Sequence, residues 1–246
     1  MNIRKKILTR CGALLTAVLV LAPTALAAEA EIPYIPQTVP AAQLAPADQR
    51  GQEDWQLLLV NPWHTVPEGY EIKLATLSNG LQVDERIYDD LDDMLSDCRE
   101  AGLNPIVCSA YRTEATQTRL YRNKVARVRA SGVPEDRVEA EAARWVAKPG
   151  TSEHQTGLAC DITDVYRDPK TIEECENTAT YQWMSQHCQE YGFIVRFPDG
   201  KSDITGIMYE PWHFRYVGVE AATYIMENGL CFEEFLDLYQ QTPAEG

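Results

Sequence analysis

The stretch TSEHQTGLACDIT, residues 151–163, decides how this chain folds around its most reactive side chains. Its first half is polar and continues a loop that starts near Lys148, whereas its second half is apolar and predicts a strand at 158–163. His154 therefore lies on the loop, and Asp161 lies on the strand that the loop enters. Gly157, at the junction, indicates a backbone conformation that other residues adopt poorly.

The segments on either side of this strand alternate between helical and strand patterns. Hydrophobic periodicity predicts further strands at 56–60, 105–111, 193–197 and 209–217, and helices at 85–101, 114–130, 135–147, 179–191, 219–228 and 231–241. They are interleaved without the regular alternation of a doubly wound sheet, and the sequence contains no internal repeat. One α+β domain over residues 53–242 follows from this arrangement.

Residues 1–27 have the pattern of an export signal. Four basic residues precede the apolar run 14–21, and the small residues Ala25 and Ala27 form a cleavage pattern. The uncharged run 11–28 also reaches the lower limit of a bilayer span, so an uncleaved signal would serve as a membrane tether. Residues 28–52 carry four prolines and predict a flexible tether. We therefore expect an exported protein, either secreted or associated with the cell envelope.

Composition excludes several classes of protein. The chain has 246 residues, of which 45% are hydrophobic, and its glycine and proline contents are ordinary, so collagen-like and wholly disordered chains are excluded. The formal net charge of −15 repels phosphate backbones, so we expect no nucleic-acid partner.

Six cysteines follow the signal segment, and an exported chain can form disulfides. Cys98 lies near the end of a predicted helix and Cys108 lies in the next strand, so a helix packed back on that strand could bring them within bridging range. The alternative is that these cysteines are small buried apolar side chains. No pair of these cysteines has the close spacing of a zinc ribbon or a redox dithiol. None of the six is expected to be a catalytic nucleophile.

The four histidines are few enough for their positions to be informative. His154 and Asp161 share the opening stretch, and His213 follows Glu210 by three residues in EPWH, residues 210–213. Two His and one carboxylate are sufficient for a catalytic zinc with an open fourth position, and Glu210 could serve as general base. The alternative is that these are surface histidines or hydrogen-bonded core histidines, as we expect for His64 and His187.

Three motif blocks together resemble a known family. They are Ser152-x-His154-x6-Asp161, Glu210-x-x-His213, and SAYR at 109–112 followed by Gln117. In this order they resemble the VanY-type D-alanyl-D-alanine carboxypeptidases, zinc peptidases that trim peptidoglycan stem peptides. The resemblance covers roughly residues 55–230 and implies an α+β domain with helices packed around an antiparallel sheet.

The resemblance also implies a role for each site residue. His154, Asp161 and His213 are the expected zinc ligands, and Glu210 is the expected general base. Arg112 is the expected clamp on the terminal carboxylate of a stem peptide, a role that suits a planar guanidinium. Ser152 and Gln117 are implied as hydrogen-bonding partners of the substrate.

Several functions remain open at this point. The motifs are equally compatible with D,D-cleavage of pentapeptide stems and with L,D-cleavage of tetrapeptide stems. A dipeptidase that acts on free D-Ala-D-Ala is a less favoured alternative. A non-catalytic cell-wall binding module stabilised by zinc could use the same cleft. A secreted interaction protein with incidental His and Asp residues is a further alternative.

Overall fold

The structure, a computed structural model, describes residues 55–164 and 171–241. A short hairpin of β1 (Leu74–Thr76) and β2 (Gln82–Asp84) precedes a four-stranded antiparallel sheet. The sheet contains β3 (Pro105–Ser109), β4 (Ala159–Asp164), β5 (Phe193–Val195) and β6 (His213–Tyr216), in the spatial order β3-β4-β6-β5. The predicted α+β class with an antiparallel sheet is therefore confirmed.

Eight helices of the described residues surround this sheet. They are α1 (Tyr88–Glu100), α2 (Glu114–Ala130), α3 (Glu135–Ala143), α4 (Ile172–Glu176), α5 (Ala179–His187), α6 (Ser202–Thr205), α7 (Val219–Glu227) and α8 (Phe232–Gln241). The α2 helix begins where the Thr113 hydroxyl accepts a hydrogen bond from the Thr116 amide, which satisfies one free donor of its first turn. None of the helices in the described ranges combines the length and apolarity that a bilayer crossing requires.

The two faces of β4 have different chemistry because side chains alternate along a strand. Cys160 and Ile162 point into the main apolar core, where they meet buried residues of α1 such as Leu91 and Met94. Asp161 points to the other face. It pairs in register with Ser109 of β3 and with His213 of β6, so three neighbouring strands present polar side chains in one row.

Gly157 confirms the expectation of an unusual backbone at the start of β4. Its φ is +72°, a left-handed conformation that favours glycine. A Cβ at this position would also come within 2.8 Å of the Asp84 backbone nitrogen, so the loop could not approach β2 as closely with any other residue.

Two predicted strands differ from the structure. Residues 56–60 form no strand; a 3₁₀ turn spans Trp55–Leu57, and the carbonyls of Gln56 and Leu58 accept hydrogen bonds from the buried Arg215 side chain. The strand predicted at 209–217 is shorter, because Pro211 lacks an amide donor and the chain turns between Glu210 and His213. This turn brings Glu210 back beside His213.

The predicted pairing of Cys98 with Cys108 is not formed. Cys98 is buried in the main core, whereas Cys108 is exposed at an irregularity in β3 with its Sγ 3.4 Å from the Asp161 carbonyl. The six cysteines of the described residues are all free thiols in this structure. The predicted signal at 1–27, the tether at 28–52 and the domain limits 53 and 242 lie outside the described residues.

Candidate metal centre

His154, Asp161 and His213 meet at the polar row of the sheet. Asp161 Oδ1 lies 3.3 Å from His154 Nε2 and 3.1 Å from His213 Nδ1. One ligand atom from each residue lies within 4.8 Å of the other two, and all three residues are buried. The structure thus brings together the three ligands that the sequence predicted.

The spacing and chemistry of these donors fit a zinc ion. Zinc binds imidazole nitrogen and carboxylate oxygen at about 2.0–2.2 Å in tetrahedral geometry, which places neighbouring donor atoms about 3.3–3.5 Å apart. Both Asp161 distances lie close to this range. Three protein donors leave one tetrahedral position for water or substrate, as in catalytic zinc sites.

Hydrogen bonds orient both imidazoles toward the shared centre. His154 Nδ1 lies 2.8 Å from the Ala110 carbonyl, which can only accept, so this nitrogen carries the proton and Nε2 presents its lone pair. His213 Nε2 lies 3.3 Å from Glu153 Oε2, which leaves Nδ1 facing Asp161. Such partners fix the tautomer of a metal ligand and raise its basicity.

A buried charge network supports His213 from behind. Glu153 Oε1 accepts hydrogen bonds from Arg196 Nε at 2.7 Å and from Arg215 Nη1 at 2.8 Å. Arg196 also forms a bidentate pair with Glu233 of α8, at 2.7 and 2.9 Å. Burial opposes ionisation of Glu153, but the two guanidinium groups outweigh it and hold the pKa of its carboxyl well below the usual range. Glu153 is therefore an anion aimed at His213.

The same contacts set the protonation of His213, His154 and Asp161. Burial lowers the pKa of His213, but its hydrogen bonds to Asp161 and Glu153 outweigh this effect and raise the pKa to about 9. Burial lowers the pKa of His154. Burial opposes ionisation of Asp161, yet both histidines hold its pKa well below the usual range. Metal binding at His213 would require the loss of a proton, because a ligating imidazole nitrogen must be unprotonated.

Glu210 lies beside the three ligands without belonging to them. Its Oε2 is 3.9 Å from His213 Nδ1, and it lines the same cavity. Burial raises the pKa of Glu210 to about 7, while His213, Arg112 and Lys124 oppose the shift. A carboxylate in this position can take up and release a proton next to a metal-bound substrate.

The three predicted substrate-binding residues all line this cavity. Arg112 Nη2 donates to Asp161 Oδ2 at 2.8 Å and to Ser109 Oγ at 2.6 Å, and Nη1 lies 3.5 Å from Gln117 Oε1. Gln117 also donates to the Ala147 carbonyl at 2.7 Å, so both of its polar atoms have partners. Gln117 thus contacts Arg112 from within the cavity wall. Direct contact with a substrate stays a prediction for Arg112, Gln117 and Ser152.

The cavity has a volume of about 300 Å³. Trp212 is half-buried and lines the cavity, whereas Tyr216 packs on the main core, the position that the sequence context predicts for both aromatic residues. The two remaining histidines lie elsewhere: His64 bonds to Asn61 Oδ1, and His187 pairs with Glu190 at the surface.

Sequence reasoning missed the charged residues around the ligands. Arg196 and Arg215 each stand within strongly apolar neighbourhoods, FIVRF at 193–197 and HFRYV at 213–217. An arginine at such a position requires a buried anion, which was the available signal for Glu153. The cavity-lining Lys124 and Arg127 of α2 were also missed, and their helical spacing from Gln117 was the available signal.

The fold and this site together define a metal-dependent peptidase. The family model described as VanY, D-alanyl-D-alanine carboxypeptidase, matches residues 80–219, and the chain belongs to this family. A D-alanyl-D-alanine carboxypeptidase of Enterococcus faecalis is 45% identical over 195 residues, which cover 79% of this chain and 70% of the relative. The family predicted from the motifs is thereby confirmed.

Two solved structures extend the comparison. The vancomycin resistance D,D-pentapeptidase VanY from a VanB-type cassette, crystallised as a point mutant with Zn(II), is 44% identical with a TM-score of 0.68 and covers 74% of this chain and 99% of its own. The LD-carboxypeptidase LdcB is 33% identical with a TM-score of 0.61 and covers 73% and 84%. Relatives with either specificity thus share this fold.

Proposed function

We propose that this protein is a zinc-dependent carboxypeptidase that removes the C-terminal D-alanine from peptidoglycan stem peptides. The observation that carries the proposal is Glu210, a largely buried carboxylate that borders the cavity beside a His₂Asp ligand set but outside it. A purely structural zinc site is closed by a fourth protein ligand, whereas three ligands and an adjacent base are typical of catalytic zinc.

The zinc ion, when bound, lowers the pKa of a water molecule and polarises the scissile carbonyl. Glu210 accepts the proton of the attacking water on a carboxylate oxygen and later delivers it to the leaving amine. Glu153 keeps His213 oriented through Nε2, and Ala110 does the same for His154 through Nδ1.

Arg112 selects the end of the peptide in this mechanism. Its guanidinium is held by Ser109 and Asp161, and its Nη1 side faces Gln117 within the cavity. A free α-carboxylate can accept hydrogen bonds from this side, with the Ser152 hydroxyl as a further donor. Holding the carboxylate there places the preceding peptide carbonyl at the metal and restricts cleavage to the last residue.

The similarity favours D,D over L,D specificity. Two relatives named for D-alanyl-D-alanine or D,D activity are 44–45% identical to this chain, whereas the LD-carboxypeptidase is 33% identical. The ligand set and Arg112 serve both reactions, so the difference lies in how the cavity receives the penultimate residue.

The location of the substrate agrees with the export pattern of residues 1–27. Peptidoglycan lies outside the cytoplasm, and the tether at 28–52 would let the domain reach it from the secretion site or, if the signal stays uncleaved, from the membrane. We accordingly propose an exported enzyme, secreted or associated with the cell envelope.

Mass spectrometry of synthetic stems tests the function. Residues 28–246 are incubated with a pentapeptide ending in D-Ala-D-Ala and with the corresponding tetrapeptide, with and without a chelator. We expect chelator-sensitive loss of one alanine from the pentapeptide. Loss from the tetrapeptide alone would assign L,D specificity, and no loss from either by zinc-loaded protein would favour a binding module.

A further inference from the structure

One face of α2 forms a wall of the cavity. Gln117, Leu120, Lys124 and Arg127 all line it, and their spacing of three, four and three residues places them on the same side of the helix. At 1.5 Å per residue, Lys124 lies about 11 Å and Arg127 about 15 Å along the helix from Gln117. The backbone positions of the two cationic residues therefore lie about two and three turns along α2 from Gln117.

Lys124 is held over an aromatic ring. Its Nζ lies 4.7 Å from the centre of the Trp145 ring, and the indole nitrogen donates to Glu141 Oε1 at 3.3 Å. Burial and the neighbouring Arg127 lower the pKa of Lys124. An ammonium held by a ring face keeps N–H donors available for an anion.

Within residues 55–164 and 171–241, no carboxylate lies within 4.0 Å of the Lys124 ammonium or the Arg127 guanidinium. Other cations of this acidic chain do pair: Lys201 lies 2.9 Å from Glu234, and Arg129 lies 2.7 Å from Glu135. Among the described residues, Lys124 and Arg127 thus line the cavity without an ion-pair partner.

The carboxylates that line the cavity do not compensate this charge directly. Glu153 is bound by Arg196 and Arg215, and Asp161 by the two ligand histidines and Arg112. Glu210 and Glu141 both influence Lys124, but from beyond ion-pair distance. Two cavity-lining cations without a direct ion pair among the described residues, in a chain of net charge −15, attract anionic ligands locally.

We infer that Lys124 and Arg127 form a second carboxylate-binding subsite in the cavity. This inference rests on the proposed function. An extended peptide advances about 3.3–3.6 Å per residue, so the rise of about 11 Å along α2 from Gln117 to Lys124 corresponds to about three residues of a bound peptide. The alternative source of the same chemistry is the terminal carboxylate itself.

Two pentapeptides that end in D-Ala-D-Ala separate these sources. They differ only in whether the residue three positions before the last carries a free carboxylate or a primary amide. For Lys124→Met and Arg127→Met, we expect KM for the acidic peptide to rise about five- to tenfold, with kcat nearly unchanged and KM for the amide peptide within about twofold. An equal rise for both peptides would assign the subsite to the terminal carboxylate.

Arg122→Met is the matched control. Arg122 is exposed on the same helix and does not line the cavity, so its loss changes the net charge equally. If Lys124→Met and Arg127→Met changed KM no more than Arg122→Met, the inference would be overturned. Calorimetric titration of zinc-loaded Glu210→Gln protein with both peptides, with and without Lys124→Met, tests the subsite even if wild-type protein shows no hydrolysis.

Discussion

The two sides of the metal centre use charge in opposite ways. Behind His213, Glu153, Arg196 and Arg215 are almost fully buried, and each is held by ion pairs of 2.7–2.8 Å. On the cavity side, Glu210 makes no ion pair shorter than 3.9 Å with any residue that the structure describes, and Lys124 lies over an aromatic ring. Paired buried charges fix the position of a ligand, whereas partly open charges remain available to substrate and protons.

This difference has an energetic reason. Burying an isolated charge costs far more than a protein can supply, so the charges behind His213 must be fully compensated. Charges that line a cavity retain contact with water, so they can stay unpaired until a ligand binds. Changes on the cavity side should therefore alter activity, and changes behind His213 should alter stability and metal binding.

Glu210→Gln should give the largest effect. Removing the base leaves the three ligands intact, so turnover should fall about 100- to 10 000-fold while zinc content stays the same. Zinc is measured by elemental analysis, and turnover by alanine release. A variant that kept most of its activity would refute the assignment of Glu210 as the base.

Arg196→Met should have the next largest effect. Both Glu153 and Glu233 lose a buried partner, and breaking such a network by removing one member costs about 3–5 kcal/mol. Urea unfolding of the zinc-free protein measures the change, with the exposed Arg122→Met as control. Equal stability of the two variants would mean that the network does not hold the fold.

Glu153→Gln tests the link between the two sides. The substitution keeps the shape but weakens the orientation of His213, so zinc affinity should fall about 10- to 100-fold. Competition with a chromophoric chelator measures it, and circular dichroism checks that the variant is folded. An affinity within twofold of the wild type would assign Glu153 to folding alone.

The smallest effect is expected for Arg129→Ala. Its pair with Glu135 is bidentate, with distances of 2.7 and 2.9 Å, but both residues are fully exposed to solvent. Solvent screens such pairs, so the midpoint of urea unfolding should not change measurably. A clear shift of the midpoint would mean that exposed ion pairs contribute to the stability of this protein as buried ones do.

Local patterns predicted much of this molecule. The periodicity of 114–130 matches α2 at both ends, and the apolar run 158–163 predicts a strand that agrees with β4 to within one residue at each end. The family motifs that contain His154, Asp161 and His213 predicted ligands that the structure does bring together. These features depend on residues that are close in sequence or on a motif that can be compared directly.

Features that depend on distant partners were not predictable from local patterns. Residues 56–60 have a strand pattern, yet the Gln56 carbonyl accepts a hydrogen bond from the Arg215 side chain, 159 residues away. The short hairpin of β1 and β2 was missed because three residues per strand are too few for a periodic signal. The partner of His213, Glu153, lies 60 residues away, and only the tertiary fold shows that contact.

The row formed by Ser109, Asp161 and His213 ties metal binding to folding. Asp161 and His213 are 52 residues apart and meet only after β4 and β6 have paired in register. The unfolded chain therefore offers no complete site, and zinc binds the native state preferentially. By mass action, free zinc at a thousand times its dissociation constant would add about 4 kcal/mol to the free energy of unfolding. The ion would therefore stabilise the pairing of β4 with β6 in addition to taking part in the reaction.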